Sequence, residues 1–446
     1  MEKEKIVIVG AGLVGSLLAS ILAKRGFEVE VYERRPDIRK AELIAGKSIN
    51  LALSDRGWKA LKLIGIEDEI KSISIPMYGR KMHDLEGNLS YQPYGVDNQA
   101  IYSVSRGDLN LRLINFAEKN FGVKFFFDMK CTDINLQENI ARFTYQKTKE
   151  KSKVNASRIF GTDGAFSAVR SRLQKTDRFN YSQFYLEHGY KELVIPANED
   201  GSHKIDKNAL HIWPRGNFML IALANLDGSF TVTLFFPFEG KTSFNSIKTK
   251  EDVLAFFKET FPDAVPIMTN LTDDYFENPT SSLVTVKCSP WNYEDKVLVI
   301  GDAAHAIVPF YGQGMNSGFE DVFLLDKMIG ELNHDWSKII PEFAKSRKPD
   351  GDAIADLAIQ NFIEMRDLVA DPMFLLRKKI EKKFYTKYPE KWIPLYSQVT
   401  FTDIPYSLAL ANGKKQEKIM NEIMTLPNIE TIWDSDEVEQ KILSLV

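Results

Sequence analysis

Glycines near the start of the chain follow an apolar run and have the spacing of a phosphate-binding turn. Gly10, Gly12 and Gly15 form the pattern GxGxxG directly after the run KIVIV. Such glycines allow a tight turn, close approach of a pyrophosphate and close packing of the following helix, whose N-terminus attracts negative charge. Glu33 lies 18 residues after Gly15, where a carboxylate can accept hydrogen bonds from ribose hydroxyls. Together these residues predict a dinucleotide site.

The pattern leaves the dinucleotide open between NAD and FAD. A glutamate at the ribose argues against the 2′-phosphate of NADP in this site. Arg34 and Arg35 follow directly, and two interpretations of them are equally supported. They contact the adenosine and its phosphates, or they are a solvated pair of charges.

Two later segments repeat the combination of an apolar run, a glycine and an acid. Asp163 and Gly164 stand in RIFGTDGAFSAVRSRL, and Asp302 stands in KVLVIGDAAHAIVP. Each segment predicts a turn between a strand and a helix. His305, in the second segment, is expected to be a neutral histidine bonded to backbone rather than a catalytic base.

The hydrophobic pattern predicts the elements that position these turns. The runs KIVIVG at 5–10 and EVEVYE at 28–33 predict buried parallel strands, joined by a helix in a βαβ unit. Alternating residues from 188 to 238 predict an antiparallel sheet, in which two β-rich runs between residues 217 and 238 flank the turn signal NLDG. After residue 330 apolar residues recur at helical spacing, which predicts a helical C-terminal region.

Length, charge and cysteine content narrow the class of protein. At 446 residues the chain is longer than one hydrophobic core usually supports, so more than one domain is expected. Its 57 basic and 61 acidic residues give a net charge of −4, which offers no reason to expect nucleic acid as a partner. Two cysteines favour the reducing cytoplasm. We expect neither a signal sequence nor a membrane span, because no run of about 18 apolar residues occurs.

In order and approximate spacing, the three turn segments resemble the three fingerprints of the class A flavoprotein aromatic hydroxylases. The resemblance implies an α/β fold with a Rossmann-like FAD-binding domain, an antiparallel β-sheet domain for the substrate and a helical C-terminal region. The implied boundaries are 1–75, 100–180 and 280–330 for the FAD-binding domain, 76–99 and 181–279 for the substrate domain, and 331–446 for the helical region.

The resemblance also implies a role for the glycine-rich segment after Asp302. Asp302 would accept a hydrogen bond from a ribityl hydroxyl of FAD, and Gly312, Gly314 and Gly318 would keep Cβ atoms away from the isoalloxazine. The helix starting at Gly314 would direct N–H groups at the flavin pyrimidine edge, where negative charge collects on reduction. The cofactor residues that the resemblance implies are Gly10, Gly12, Val14, Gly15, Glu33, Arg34, Arg35, Ala52, Arg106, Cys131, Asp163, Asp302, Gly314, Met315 and Asn316.

Other segments are more specific and resemble the kynurenine 3-monooxygenase family. They include GKSINLALSDRG at 46–57, IPMYGRKMH at 75–83, LHIWPR at 210–215, NFIEMR at 361–366 and IPLYSQVTF at 393–401. The resemblance implies that the substrate is held by Arg80, Tyr94, Asn361 and Tyr396. The guanidinium would offer a planar fork to a carboxylate, and the hydroxyls and the amide would add directional hydrogen bonds.

Two further residues have open assignments. Glu364 would meet the ammonium group of the substrate, or it is an ordinary helix-surface glutamate. Phe235 would form a wall for the substrate ring, or it belongs to the core of the predicted sheet.

The reaction that the resemblance implies is hydroxylation of L-kynurenine to 3-hydroxy-L-kynurenine. NADPH would reduce bound FAD, the reduced flavin would take up O2, and the resulting C4a-hydroperoxide would transfer oxygen to the ring carbon ortho to the aniline nitrogen. No catalytic side chain is expected, because the amine already activates that carbon. The sequence has no second GxGxxG, so NADPH is expected to bind transiently.

Two alternatives remain open from the sequence. One is a class A hydroxylase or epoxidase with another aromatic substrate, and a neutral substrate would need no carboxylate clamp. The other is a Rossmann-type binding protein without flavin, which the intact Asp302 segment argues against. We also expect a monomer or homodimer, and a soluble bacterial-type form, because the C-terminal sequence lacks the hydrophobic anchor of eukaryotic family members.

Overall fold

The structure is a computed structural model that describes residues 4–40, 50–95, 99–368 and 371–446. The first four residues of the sequence segment at 46–57 lie outside the described residues. The described strands form four sheets. These strands are β1 (Lys5–Val9), β2 (Glu28–Tyr32), β3 (Asn50–Leu53), β4 (Ser74–Met77), β5 (Gly79–His83), β6 (Leu89–Pro93), β7 (Ile101–Ser105), β8 (Lys124–Phe126), β9 (Met129–Asn135), β10 (Ile140–Tyr145), β11 (Lys151–Asn155), β12 (Arg158–Gly161), β13 (Asn180–Ile195), β14 (Ala209–Pro214), β15 (Met219–Ala224), β16 (Phe230–Pro237), β17 (Ser281–Ser289), β18 (Asn292–Tyr293) and β19 (Val297–Val299).

Helices connect the strands and make up most of the C-terminal part of the chain. They are α1 (Leu13–Lys24), α2 (Asp55–Ile64), α3 (Glu67–Lys71), α4 (Arg106–Phe121), α5 (Ala168–Leu173), α6 (Lys250–Thr260), α7 (Leu271–Glu277), α8 (Asp302–His305), α9 (Gly314–Glu331), α10 (Trp336–Ile363), α11 (Pro372–Lys387), α12 (Leu395–Phe401), α13 (Tyr406–Ile423), α14 (Ile429–Ile432) and α15 (Asp436–Leu443). Within the described ranges, no helix has the length and apolar character needed to cross a membrane.

The predicted βαβ unit is present. Strands β1 and β2 pair in parallel, and α1 connects them. They belong to a six-stranded sheet with the order β18-β19-β12-β1-β2-β8. At Gly15 a Cβ atom would lie 2.0 Å from the carbonyl oxygen of Gly10, so α1 packs directly on the glycine turn. Only glycine permits this contact, as expected for the third glycine of the pattern.

A seven-stranded sheet forms the second layer, with the order β17-β13-β16-β15-β14-β5-β6. The predicted hairpin between residues 217 and 238 is its β15–β16 pair. The sheet is antiparallel apart from the parallel pair of β14 and β5. On β16, Val232, Leu234 and Phe236 face a core with α6 and α7, whereas Thr233 and Phe235 face the opposite side.

The C-terminal region is helical, as predicted, and ion pairs fasten its first helix, α10, to α9. Arg347 on α10 is buried and pairs with Asp321 (2.6 Å) and with Glu320 (2.5 Å) on α9. His305 is 2.6 Å from the same Asp321 through its Nε2 atom. The prediction that backbone satisfies His305 is therefore wrong: its partner is a carboxylate with no exposed surface.

A chain of buried polar groups holds β5 against β14. His83 Nδ1 lies 2.6 Å from Asp263, and His83 Nε2 lies 2.8 Å from His211 Nδ1. His211 Nε2 donates to the carbonyl oxygen of Asp206 at 2.8 Å. Burial lowers the pKa of His211 to about 4, so its imidazole is neutral and its Nδ1 accepts from His83.

We expect the free energy of unfolding to fall as the pH drops from 6.5 towards 4. In the unfolded chain the pKa of His211 is near 6.5, so the imidazole takes up a proton in this window. In the folded protein it stays neutral, so protonation favours the unfolded state. At about pH 5 the loss from this group is about 2 kcal/mol relative to about pH 7.

Urea unfolding at these two pH values measures this loss. The variant His211→Asn keeps a polar group opposite His83 but cannot titrate. The slope of its unfolding free energy against pH should therefore be smaller than that of the parent, by the contribution of about one proton. Identical pH dependence in the parent and the variant would show that His211 does not contribute.

Candidate active site

Three turns between strands and helices line one cavity. They contribute Gly10, Gly12 and Val14 from the first turn, Asp163 and Gly164 from the second, and Asp302, Gly312, Gly314 and Met315 from the third. The N-termini of α1 and α9 both reach this cavity, so both present positive dipole ends to it. The three turns are more than a hundred residues apart in sequence, and the parallel order of β1, β12 and β19 brings them together.

The cavity has room for a ligand where side chains are missing. A Cβ atom at Gly12 or Gly164 would meet no other atom within 4 Å, and one at Gly314 would meet only Ile307, at 3.7 Å. Gly312 has a φ of +66°, which favours glycine. These positions leave bare backbone along the cavity wall.

Glu33 is almost fully buried, at 9% exposure. It lines the cavity, and its Oε2 accepts from the Ala11 N–H at 2.9 Å while its Oε1 accepts from the Arg35 N–H at 2.9 Å. These bonds hold the carboxylate beside the glycine turn. Arg34, Arg35 and Arg106 also line the cavity, with exposed side chains.

Three other predicted cofactor residues differ in their environments. Ala52 on β3 and Cys131 on β9 line the cavity. Burial raises the pKa of Cys131 to about 12, so its thiol is neutral. Asp163 lies at the cavity wall, but its carboxylate accepts from Ser167 Oγ (2.5 Å) and from the Ala168 N–H (2.6 Å) at the start of α5. Its side chain therefore organises the second turn.

Asn316 and Gly318 are not among the described residues that line the cavity. The Asn316 amide accepts from the Ser54 N–H at 2.9 Å and donates to the carbonyl oxygens of Ala52 and Gly312, so it fixes the glycine segment. A Cβ atom at Gly318 would lie 2.6 Å from Val14 Cγ2. The prediction that Gly318 makes room for the isoalloxazine is wrong, because its absent side chain makes room for α1.

At the other end of the cavity, Arg80 lies among aromatic rings. Its guanidinium carbon is 4.7 Å from the Tyr396 ring centroid and 5.5 Å from that of Tyr94. The Tyr94 and Tyr396 rings stack at 5.3 Å, and the Tyr396 and Tyr311 rings stack at 5.4 Å. This group of four residues, Arg80, Tyr94, Tyr311 and Tyr396, is called the arginine–tyrosine cluster below.

Two polar atoms of the arginine–tyrosine cluster have no hydrogen-bond partner among the described residues. Arg80 is 8% exposed, and its Nε forms no hydrogen bond within the described structure. The Tyr94 hydroxyl is near Arg80 and Tyr396, but no described group makes a well-formed hydrogen bond with it. Burial lowers the pKa of Arg80, but the tyrosine oxygens and Glu364 outweigh it and raise this pKa above its usual range. Burial raises the pKa of each tyrosine in the cluster, so the phenols are neutral donors.

The wall beside this cluster is apolar. Phe235 on β16 lines the cavity, and its ring centroid is 4.7 Å from that of Phe310. Met219 and Ile221 on β15 lie next to it in the sheet. This wall suits a planar ring.

Asn361 and Glu364 are not among the described cavity-lining residues. Asn361 Nδ2 donates to the Phe310 carbonyl oxygen at 2.7 Å, so it holds the wall rather than facing the cavity. Glu364 begins a π-helical turn, Glu364–Leu368, and its carboxylate is 3.7 Å from Lys378 Nζ. Met365, one helical turn after Asn361, reaches the cavity instead.

Tyr396 is positioned from a distant element. Arg56 on α2 is buried, and its Nε donates to the carbonyl oxygen of Val399 on α12 at 2.8 Å. Its Nη2 donates to the Ile404 carbonyl oxygen at 2.5 Å. Since α12 carries Tyr396, Arg56 ties the cluster to the layer that contains the glycine turns.

Comparison with known proteins identifies this arrangement. The FAD binding domain family matches residues 3–357. The kynurenine 3-monooxygenase of Flavobacterium psychrophilum is 54% identical over 445 residues, which cover 100% of this chain and 99% of that protein. The kynurenine 3-monooxygenase of Dictyostelium discoideum is 50% identical, over 94% of this chain and 93% of that protein. The chain belongs to the kynurenine 3-monooxygenase family.

Solved structures outside this family share the fold. The tetrameric form of 2-methyl-3-hydroxypyridine-5-carboxylic acid oxygenase has a TM-score of 0.68 at 18% identity and covers 88% of this chain and 99% of its own. The tetracycline destructase Tet(55) has a TM-score of 0.63 at 16% identity, covering 86% and 96%. The predicted aromatic hydroxylase fold, with its α/β layer, β-sheet domain and helical C-terminal region, is confirmed.

The family assignment decides between the two dinucleotides in favour of FAD. The residues present fit this cofactor. Unfilled Cβ positions at Gly12, Gly164 and Gly314, two helix N-termini and the buried Glu33 carboxylate all meet in one cavity. Backbone N–H groups and bare backbone are what a pyrophosphate and a flat ring system require.

Sequence reasoning missed two residues that line the cavity, Tyr311 and Met365. The available signal for Tyr311 was the bulky pair Phe310 and Tyr311, which interrupts a segment rich in small residues. Met365 follows Asn361 by four positions on the same helix face. That spacing shows a shared face but not which residue reaches the cavity.

Gly314→Val should weaken FAD binding by about 10- to 100-fold without unfolding the protein. The new side chain meets no backbone, so it extends into the cavity where the flavin is expected, and steric overlap of this kind costs about 1 to 3 kcal/mol. Titration of apoprotein with FAD, followed by flavin fluorescence, gives the dissociation constant. Gly314→Ala should lie between the parent and the valine variant. A normal FAD content in Gly314→Val, together with full activity, would rule out close approach at this residue.

Proposed function

We propose that this protein is an FAD-dependent monooxygenase that converts L-kynurenine to 3-hydroxy-L-kynurenine. The balanced reaction consumes one NADPH, one proton and one O2, and yields NADP+ and one water besides the product. The observation that carries the proposal is the buried Arg80 guanidinium, which lacks a carboxylate partner among the described residues and faces a cavity with an apolar, aromatic wall.

The charge of Arg80 supports a carboxylate substrate. A buried cation without a counter-ion is costly, and an incoming carboxylate supplies the missing partner through a charge-assisted, two-pronged bond. The neutral hydroxyls of Tyr94 and Tyr396 add donors to the same carboxylate. A neutral substrate would leave the guanidinium unpaired, so the clamp favours an amino acid over a neutral aromatic compound.

Phe235, Phe310 and Met219 would hold the aromatic ring of the substrate. They fix its orientation and exclude water from the reacting carbon. The ring amine activates the carbon ortho to it, so proton abstraction by the protein is not required. None of the phenols in the cluster is acidic enough to act as a base near neutral pH, because burial raises the pKa of each.

When bound, FAD supplies the redox chemistry that activates O2 for transfer of one oxygen atom. Glu33 would hold the ribose of this cofactor, the turns at Gly10–Gly15 and Gly164 the pyrophosphate, and Asp302 with Gly312, Gly314 and Met315 the flavin end. Arg34, Arg35 and Arg106 would neutralise phosphate charge at the exposed rim. Asn316 would act by fixing the glycine segment, and Asn361 by fixing Phe310. NADPH would visit as a transient reductant.

We further propose that the protein works in the cytoplasm, as a monomer or homodimer. Cys131 and Cys288 are both free thiols, which supports a reducing compartment. Light scattering of the purified protein tests the oligomeric state.

The proposed function is tested on FAD-loaded protein by NADPH oxidation with and without L-kynurenine. Kynurenine should accelerate NADPH oxidation, and mass spectrometry should detect a product heavier than kynurenine by one oxygen atom. Oxidation of NADPH without hydroxylated product, or no response to kynurenine, would refute the assignment.

Arg80→Ala should raise the KM for kynurenine by at least about 30-fold, since loss of a buried charge pair costs about 2 to 5 kcal/mol. Arg80→Lys keeps the charge but loses the planar fork, so its KM should lie between those of Arg80→Ala and the parent. The FAD content should stay constant in both variants. A KM within twofold of the parent in Arg80→Ala would remove Arg80 from the substrate site.

Tyr94→Phe should raise the KM for kynurenine about fivefold to tenfold while leaving thermal stability unchanged or higher. The hydroxyl is buried without a hydrogen-bond partner among the described residues, so its removal costs little in the free protein but removes a hydrogen bond from the complex. Tyr275→Phe is the matched control, because the Tyr275 hydroxyl is also buried with no partner in the described part of the chain but lies in the core beneath the sheet. It should leave KM unchanged. Equal kinetic effects of the two substitutions would contradict the assigned role of Tyr94.

A further inference from the structure

Thr233 is an unexplained polar residue in the cavity wall. It lies on β16, is 1% exposed and lines the cavity. Its Oγ1 atom is buried and has no hydrogen-bond partner among the described residues. An unpaired buried hydroxyl destabilises a protein, so such a group in a cavity wall points to a ligand that supplies its partner.

The surroundings of Thr233 are otherwise apolar. In the sheet it lies opposite Ile221, while Phe235, two residues along the strand, lies opposite Met219. Because side chains alternate along a strand, Thr233 and Phe235 face the same side. Of the described residues that line the cavity from this sheet, Thr233 alone carries a hydroxyl. The sheet residues that line the cavity are Arg80, Leu210, Met219, Ile221, Leu223, Thr233 and Phe235.

Thr233 and Arg80 stand at opposite ends of this wall. The sheet order places β16 three strands from β5, which carries Arg80, so their backbones are about 14 Å apart across the sheet. The long arginine side chain shortens the distance between the functional groups. A substrate with its carboxylate on Arg80 therefore extends along this wall, with its ring and the substituents of the ring directed towards Thr233.

We propose that Thr233 is a specificity-determining residue whose hydroxyl oxygen accepts a hydrogen bond from the ring amino group of the substrate. The inference rests on the proposed function and extends it to the class of amino acids that carry an ortho-aminophenyl ketone. In such a compound one N–H bonds to the neighbouring ketone oxygen, and the second N–H points outward. Once buried, that second N–H needs an acceptor, and the Thr233 hydroxyl needs a partner.

The direction of this hydrogen bond matters for reactivity. A hydroxyl oxygen that accepts from the N–H leaves the nitrogen lone pair conjugated with the ring, so the ortho carbon stays rich in electrons. A substrate without the amino group would leave the Thr233 hydroxyl without a hydrogen-bond partner, as it is in the free protein. The site therefore binds the substrate with the ring amine more tightly than the analogue, because only the amine supplies the Thr233 hydroxyl with a hydrogen bond.

The test compares Thr233→Val, which has nearly the same shape but no hydroxyl, with the parent. Calorimetry on FAD-loaded protein gives dissociation constants for L-kynurenine and for its analogue without the ring amine, 3-benzoyl-L-alanine. Thr233→Val should weaken kynurenine binding about fivefold to tenfold and lower kcat/KM for kynurenine by at least the same factor. Binding of the analogue should not change. Thr233→Ser, which restores the hydroxyl, should recover most of the kynurenine affinity.

Thr285→Val is the matched control. The Thr285 hydroxyl on β17 is also buried and finds no partner within the described ranges, but Thr285 is not among the described residues that line the cavity. Both valine variants should keep or raise the thermal stability, because each removes an unsatisfied group. Only Thr233→Val should change kynurenine binding.

Two results would overturn the inference while leaving the proposed function intact. One is unchanged kynurenine affinity in Thr233→Val, and the other is an equal loss of affinity for kynurenine and the analogue, which would show an effect on cavity shape alone. If the parent protein neither binds nor hydroxylates kynurenine, the proposed function and this inference both fail.

Discussion

The buried charge of Arg80 is the constraint on which the candidate site depends. A guanidinium removed from water without a directly bonded carboxylate among the described residues is costly. The protein meets this cost only in part, through the faces and oxygens of neighbouring tyrosines and the more distant charge of Glu364. The arginine–tyrosine cluster is therefore incomplete without a ligand. This incompleteness favours a substrate with a carboxylate, and it requires rigid support, because a loose arginine would turn to solvent instead.

That support comes from both sides of the cavity. From the sheet side, the polar chain through His83 and His211 holds β5, which carries Arg80, against β14. From the helical side, Arg56 fixes α12, which carries Tyr396, by bonding to main-chain carbonyls. A cation and its aromatic neighbours are thus contributed by distant parts of the chain, and each is fastened by buried hydrogen bonds that do not touch the cavity.

The dinucleotide end follows a different principle, in which backbone takes the place of side chains. Missing Cβ atoms open the cavity at Gly12, Gly164 and Gly314, while at Gly15 and Gly318 they allow helices to pack closely behind it. The two uses of glycine are linked, because close packing of α1 and α9 brings their N-termini to the same cavity. Asn316 completes this arrangement by holding the glycine segment against β3.

The sequence by itself determined the βαβ unit, the β15–β16 hairpin, the helical C-terminal region and the family, because these depend on local periodicity and on contiguous motifs. It also pointed to Arg80, Tyr94 and Tyr396, though only through resemblance. Only the tertiary structure decided which side chains face the cavity. Asn361 and Met365 share a helix face, yet packing directs the amide to a carbonyl group and the thioether to the cavity. The stacking of Tyr311 on Tyr396 and the unpaired Thr233 hydroxyl likewise arise between residues distant in sequence, where no local pattern specifies direction.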